Sequence, residues 1–263
     1  MKKLLYYFTA LLIVNSFLLN VIKAAEKQTI AGAGPSTKVV QSFFEEFSKL
    51  PAAADYEFEV PPKSVKHMGG VKASEYYIFG RTGRPLNAEE KKMNKEEIFL
   101  AQIPASIAVG AGVGITSLDL KQLENIFTGK YVNWKQVGGP DQPIVTVGRE
   151  ESEAIFTAIK SIYPFFRSAK FTKVFHKDND VVSFLKNDYG KYAIAFSARS
   201  NFRDEAGINI ISVENFLVSV KVGLVYDLKN SNHPLVRSVS DYVKTKGWSE
   251  KITAAGFLPP VSE

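Results

Sequence analysis

Ser117-Leu118-Asp119-Leu120-Lys121-Gln122-Leu123-Glu124-Asn125-Ile126-Phe127-Thr128-Gly129-Lys130-Tyr131-Val132-Asn133-Trp134 is the stretch from which the fold can be read. Leu120, Leu123, Ile126 and Phe127 recur at three- and four-residue spacing, which places them on one face of a helix. Thr116 and Ser117 carry hydroxyls suited to opening that helix, and Gly129 is suited to closing it in a left-handed C-terminal turn. Val137-Gly138-Gly139-Pro140 then makes a turn. Residues 143–147 alternate in period two and run into Gly148-Arg149. A further helix is expected from about Glu151 to Ser161.

The same alternation extends both ways. Residues 28–31 read as a short strand entering Gly32-Ala33-Gly34-Pro35-Ser36-Thr37. The helix that follows shows Val40, Phe43, Phe44 and Phe47 on one face, with Ser36 or Thr37 as its cap and Pro35 in its first turn. A turn-rich stretch passes Pro51, Pro61 and Pro62 to Met68-Gly69-Gly70. Residues 76–79 read as a strand ending in Gly80-Arg81-Thr82-Gly83-Arg84-Pro85, and residues 98–109 as extended chain broken at Pro104. Beyond the central stretch come a short helix at 181–185 and strands at 192–196, 208–213 and 218–226. A closing helical segment at 234–255 is broken near Gly247. Interleaved strands and helices make this an α/β chain with largely parallel sheets.

Composition narrows the functions. The chain has 263 residues, 45% hydrophobic and 23% charged, enough for one large or two modest domains with a real core. It has no cysteine, which excludes disulfides, thiol catalysis and cysteine-ligated metals. Its three histidines, His67, His176 and His233, are far apart, so no metal or other cofactor is expected. Met1-Lys2-Lys3, the uncharged apolar run to Val21 and the small residues Ala24-Ala25 have the layout of an export signal over residues 1–24. An uncleaved anchor is the alternative reading of that run. Cleavage removes Lys2, Lys3 and Lys23 and no acid, which halves the net charge of +6. The remaining weak positive field suits a small anionic ligand and is too evenly spread for nucleic acid.

Candidate chemistry points at anions. The strand, glycine loop and helix start at 28–47 have the form of a phosphate cradle, although a plain turn before a capped helix has the same form. Gly69-Gly70 reads first as a turn. Arg81, Arg84 and Arg149 fall at strand ends, where ligands gather in α/β sheets, and each could equally be a salt-bridged surface arginine. Glu150, Glu151 and Glu153 are either first-turn acids or paired carboxylates with no catalytic partner nearby. No Gly-x-Ser-x-Gly and no His-Glu-x-x-His is present, so no enzyme activity is expected.

The pattern Leu-x-x-Ile-Phe-x-Gly-Lys-x-x-Asn-Trp at 123–134, the Gly-Gly turn, the strand and Arg149 resemble the signature of phosphate-type periplasmic solute-binding proteins. The opening glycine loop, Gly80-Arg81-Thr82-Gly83-Arg84-Pro85-Leu86 and the ending Ala255-Gly256-Phe257-Leu258-Pro259 follow in the same family order. The likeness covers nearly all of 28–260. It implies a two-lobed type II periplasmic-binding-protein fold with a ligand cleft between the lobes. Residues 25–103 and 217–263 would form lobe one and residues 104–216 lobe two. The crossings would fall in 103–110 and near 213–220. It also implies the substrate-binding role for a phosphate ABC importer in the periplasm, with a permease as partner. By position, the family's ligand loops map onto Gly34, Ser36, Thr37, Gly69, Gly70, Thr82, Arg84, Arg149 and Ser152. One segment departs: where the family reads Arg-x-x-Gly-Ser-Gly-Thr, this chain reads Arg149-Glu150-Glu151-Ser152-Glu153-Ala154-Ile155. Glu153 then points away, is protonated, or faces a ligand other than phosphate. A degenerate member with another ligand, or none, acting as an interaction module is the rival reading; a secreted hydrolase comes last.

Overall fold

The computed structural model of the chain describes residues 24–260, so all but the last residue of the expected export segment lies outside the described residues. β1 (Glu26–Thr29) pairs in parallel with β2 (Tyr56–Glu59), and α1 (Thr37–Phe47), which lies between them in the chain, buries Val39, Val40, Phe43, Phe44 and Phe47. α2 (Lys66–Ala73), β3 (Gly80–Thr82) and α3 (Ala88–Lys92) lead to β4 (Lys95–Gly110), a single 16-residue strand. The middle of the chain supplies β5 (Ser117–Leu118), α4 (Leu120–Phe127), β6 (Val145–Arg149), α5 (Ala154–Ile162) and β7 (Lys173–Phe175). It continues through α6 (Asp178–Lys186), β8 (Ala193–Ala198), α7 (Arg199–Phe202) and β9 (Ile208–Val213). β10 (Ser219–Asp227), α8 (Pro234–Tyr242) and α9 (Lys246–Ala254) complete the order.

β4 is the spine. From Lys95 to Pro104 it pairs with β10, whose other edge carries β3. From Ala105 onward it pairs with β8 and β9, and β6 and β7 extend the sheet beyond β8. The changeover falls on Pro104, which has no N–H to offer a ladder. The expected break there does not occur, because Pro104 stands at the end of the β10 ladder, where its fixed φ suits a strand and no donor is missed. The following N–H, of Ala105, reaches the Val218 carbonyl at 2.9 Å. The sheets are mixed rather than largely parallel. β4 runs antiparallel to β10, β8 and β9, while the pairs β6–β7, β6–β8, β5–β9 and β1–β2 are parallel.

Aromatic side chains fill the space on both stretches of the spine. Phe43 meets Trp248 edge-on with centroids 5.0 Å apart, and the buried Trp248 indole donates to the Leu100 carbonyl at 2.8 Å. Farther along, Phe156 stacks on Phe196 at 5.1 Å, and Phe127 packs against Phe166 at 4.8 Å. Such pairs contribute about 0.5–1.5 kcal/mol beyond their area burial.

Several boundaries move for local reasons. Asp119, not Thr116 or Ser117, caps α4, in a reciprocal capping box with Gln122; Ser117 is held in β5 opposite Ser212. Gly129 does close α4 as expected. At φ 77° it lets its own N–H reach Ile126 and that of Lys130 reach Asn125, the Schellman pattern. Gly69 and Gly70 lie inside α2 rather than in a turn, and the strand expected at 76–79 begins instead at Gly80. The closing segment breaks between Tyr242 and Lys246, with Gly247 inside α9. α5 starts at Ala154, three residues later than expected, because Glu153 is its cap.

Candidate functional site

Two helix starts face one another across a pocket of about 280 Å³. Gly34, Pro35 and Lys38 at the start of α1, with Gly83, line one side. Glu153, Ala154 and Ile155 at the start of α5, with Asp178, line the other, and Ile103 and Val220 of the central strands lie between. The pocket adjoins a wider cleft of about 1240 Å³ that also reaches Lys66, Arg84, Arg149, Ser152, Lys177 and Lys221.

The α1 side is positive and open. Ser36 precedes the helix, yet its hydroxyl turns back to the Ala33 carbonyl at 3.0 Å and caps nothing, contrary to expectation. The N–H groups of Lys38 and Val39 meet no acceptor among the described residues. From Lys27 to Phe44 the chain has no acidic residue at all. Beneath the loop lies Arg81, 0% exposed. Its Nε donates to Ala33 O at 3.0 Å and its Nη1 to Ile30 O at 2.7 Å, while Nη2 has no partner. No carboxylate among the described residues lies within salt-bridge distance of it, and burial pulls its pKa below the ordinary arginine value. The hydroxyls of Thr37 and the fully buried Thr82 are likewise without partners. Glycines let these segments touch: a Cβ on Gly32 or Gly70 would fall 2.0 or 2.1 Å from the Arg81 carbonyl oxygen.

The α5 side is negative and closed. The Arg149 guanidinium ends β6, where its Nε meets Glu150 Oε2 at 3.0 Å and the Phe175 carbonyl at 3.1 Å. Its Nη2 reaches Glu150 Oε1 and the His176 carbonyl, and its Nη1 is engaged by Asp178. Asp178 also accepts from Ser197 Oγ at 3.0 Å. Glu153 neither leaves the cleft nor fills it with a free charge. Its carboxylate bends onto its own helix and accepts from the Ile155 N–H at 3.0 Å and the Phe156 N–H at 2.7 Å. Burial pushes its pKa up, opposed by those two N–H groups and by Arg149.

The expected site residues therefore divide. Gly34, Arg84, Arg149 and Ser152 line the cleft. Thr37 and Thr82 lie beside it with unpartnered hydroxyls, Ser36 is satisfied within its own loop, and Gly69 and Gly70 lie in α2 away from the lining. Arg84 is taken by a bidentate pair with Glu90, both contacts at 2.9 Å. Sequence reasoning did not select Lys38 or Asp178, and it raised Arg81 as a strand-end arginine without placing it among the ligand-loop residues. Arg81 and Arg84 differ by three positions in one loop, and only packing decides which is covered. Among the described residues no cluster of histidine and carboxylate ligands fit for a metal occurs.

Two α/β halves threaded by a common strand, with loops and helix starts converging on a cleft between them, make up the two-lobed fold of the type II periplasmic-binding-protein class. The chain belongs to the family described as PBP superfamily domain, whose model matches residues 22–258. It is similar to the phosphate-binding protein PstS of Borreliella burgdorferi, 24% identical over 216 residues that cover 77% of this chain and 76% of that one. It is also similar to PstS of Bacillus subtilis, 29% identical over 134 residues, 49% of this chain and 43% of that one. Among solved structures, a phosphate ABC transporter substrate-binding protein from Clostridium perfringens with bound phosphate superposes with a TM-score of 0.71. The identity there is 20%, with 90% of this chain and all of that one covered, a likeness of fold.

Proposed function

We propose that the protein is the exported substrate-binding component of an ABC importer, carrying phosphate or a related oxyanion to a membrane permease. It binds and does no chemistry. Residues 1–24 are its export signal, residues 25–103 and 217–263 form one lobe, and residues 104–216 form the other. The observation that carries this reading is the α1 side of the pocket. Unbonded helix-start N–H groups lie at the pocket, and behind their loop sits a buried guanidinium with no counter-charge, so an anion placed there accepts from the N–H groups and offsets that charge at a distance. The PstS relatives support the same ligand class.

The test is calorimetric titration of the mature protein with phosphate, sulfate and phosphate monoesters, together with the melting temperature, which must rise with any ligand that prefers the folded state. Loss of binding on altering the α1 side supports the reading; indifference to every oxyanion refutes it. The saturated Arg149 and the self-capping Glu153 favour one second reading, a family member that acts through protein contacts, and that same indifference would establish it.

A further inference from the structure

The two sides of the pocket differ in charge, and a bare phosphate suits only one of them. On the α1 side Lys38 lines the pocket, Arg81 lies buried behind the loop without reaching the lining, and the loop itself holds no acidic residue. On the α5 side three carboxylates, Glu150, Glu153 and Asp178, outnumber two cations, the guanidinium of Arg149 and the cleft-lining Lys177. That excess of negative charge is not spent internally. Each oxygen of Glu153 accepts one backbone N–H and keeps a further lone pair. Asp178 uses one oxygen for both Arg149 and Ser197, and its other oxygen accepts nothing among the described residues. Both residues line the same 280 Å³ pocket as Gly34 and Lys38, a volume near the lower end of small-molecule sites at about 300–1,000 Å³.

We propose that the ligand is a zwitterion, a phosphate or phosphonate group joined through a short spacer to an ammonium. The anionic end binds at the start of α1, and the ammonium donates to Glu153 at the start of α5 and Asp178 at the start of α6. This rests on the oxyanion-binding reading above and names the ligand class of that same pocket. A tetrahedral anion alone leaves Glu153 and Asp178 facing it as like charges, whereas an ammonium turns them into acceptors of charge-assisted hydrogen bonds. The selectivity is thus written into Glu153 and Asp178, the two carboxylates that line the pocket.

The mature protein is titrated with inorganic phosphate, with ethyl phosphate and with 2-aminoethyl phosphate, which differs from the ethyl ester by the amine. The expected result is that the aminoethyl ester binds at least about tenfold tighter than the ethyl ester. Glu153→Gln and Asp178→Asn, each checked for a cooperative melt, should each bring that ratio below about threefold, since an amide accepts without charge. Equal binding of the two esters by the unmodified protein overturns the zwitterion assignment and leaves oxyanion binding standing. So does a ratio that survives both substitutions. Failure of all three compounds to bind overturns both readings together.

Discussion

The starts of α1 and α5 are the same device used in opposite ways. Each turns its first-turn backbone N–H groups and the positive end of a helix dipole toward one pocket. At α1 the chain supplies no cap and buries an uncompensated guanidinium behind the loop. At α5 it supplies its own anion, Glu153, and surrounds the nearby arginine with carboxylates. A helix start can therefore be closed without losing its scaffold: one carboxylate side chain satisfies N–H groups that an external anion would otherwise meet. Arg84, closed by Glu90, repeats that logic in a second loop.

Reopening the α5 start should give the largest effect. The unmodified protein should bind inorganic phosphate weakly or not at all. Glu153→Ser, Ala154→Gly and Ile155→Thr together remove the internal anion and restore donors, each charge-assisted bond being worth roughly 1.5–3 kcal/mol. Phosphate affinity should rise by at least about 100-fold, seen as a phosphate-dependent increase in melting temperature, and Arg149→Ala in that background should cancel it. An unchanged melt would mean that α5 is not equivalent to α1.

Next in size is the Arg84–Glu90 closure. Burial alone would raise the Glu90 carboxyl, but the bidentate Arg84, the Asn87 N–H and His67 hold it at about 2, against an ordinary 4.5. A depressed folded-state value stabilises the fold above the unfolded-state value, and that stabilisation is lost as pH falls through the folded one, so it fades between about 4.5 and 2. Glu90→Gln should cost roughly 3 kcal/mol at pH 7 and flatten the acid limb of the melting curve. A pH profile identical to the unmodified protein's would show that the pair is idle.

Arg81→Met tests the open side. Replacing the guanidinium by an apolar chain of similar length removes a buried charge without a counter-ion, but also its hydrogen bonds to the Ala33 and Ile30 carbonyls. The two effects should offset and move the ligand-free melting temperature by only a few degrees. Oxyanion affinity should fall by about tenfold. A lower melting temperature with unaltered binding would make Arg81 purely structural.

The smallest effect concerns Glu153 itself. Its carboxyl is raised by burial, so its contribution is most favourable below the unfolded-state value and declines as pH rises through the folded one. Glu153→Gln should therefore be neutral near pH 4 and raise the melting temperature slightly at pH 7, by about 1–2 °C. The opposite pH dependence would mean that the ionised cap is worth more than its desolvation costs.

Much of this architecture was legible because its signals are local. The α4 face, the Gly129 closure and β9 at Ile208–Val213 each depend on a few neighbouring residues. What sequence could not settle was decided by distant partners. Ser117 looks like a cap until β9 pairs with it, and Gly70 looks like a turn until the Arg81 backbone crosses it too closely for a Cβ. The three outcomes open to Glu153 omitted a fourth, a carboxylate folded back onto its own helix. Glutamate is not among the favoured caps, and nothing in Arg149-Glu150-Glu151-Ser152 announces where that side chain turns.

The unbroken run of β4 through Pro104 has a mechanical consequence. If the halves rotate about the pocket, they do so by twisting one continuous ribbon paired to β10 on one stretch and to β8 and β9 on the next, not by swinging on a slack tether. A torsion bar of this kind stores elastic energy on rotation and returns it. The amides of Ala101–Ile103 and Ala105–Val109 should then be among the slowest in the molecule to exchange with solvent, although they lie at the point about which everything else would turn.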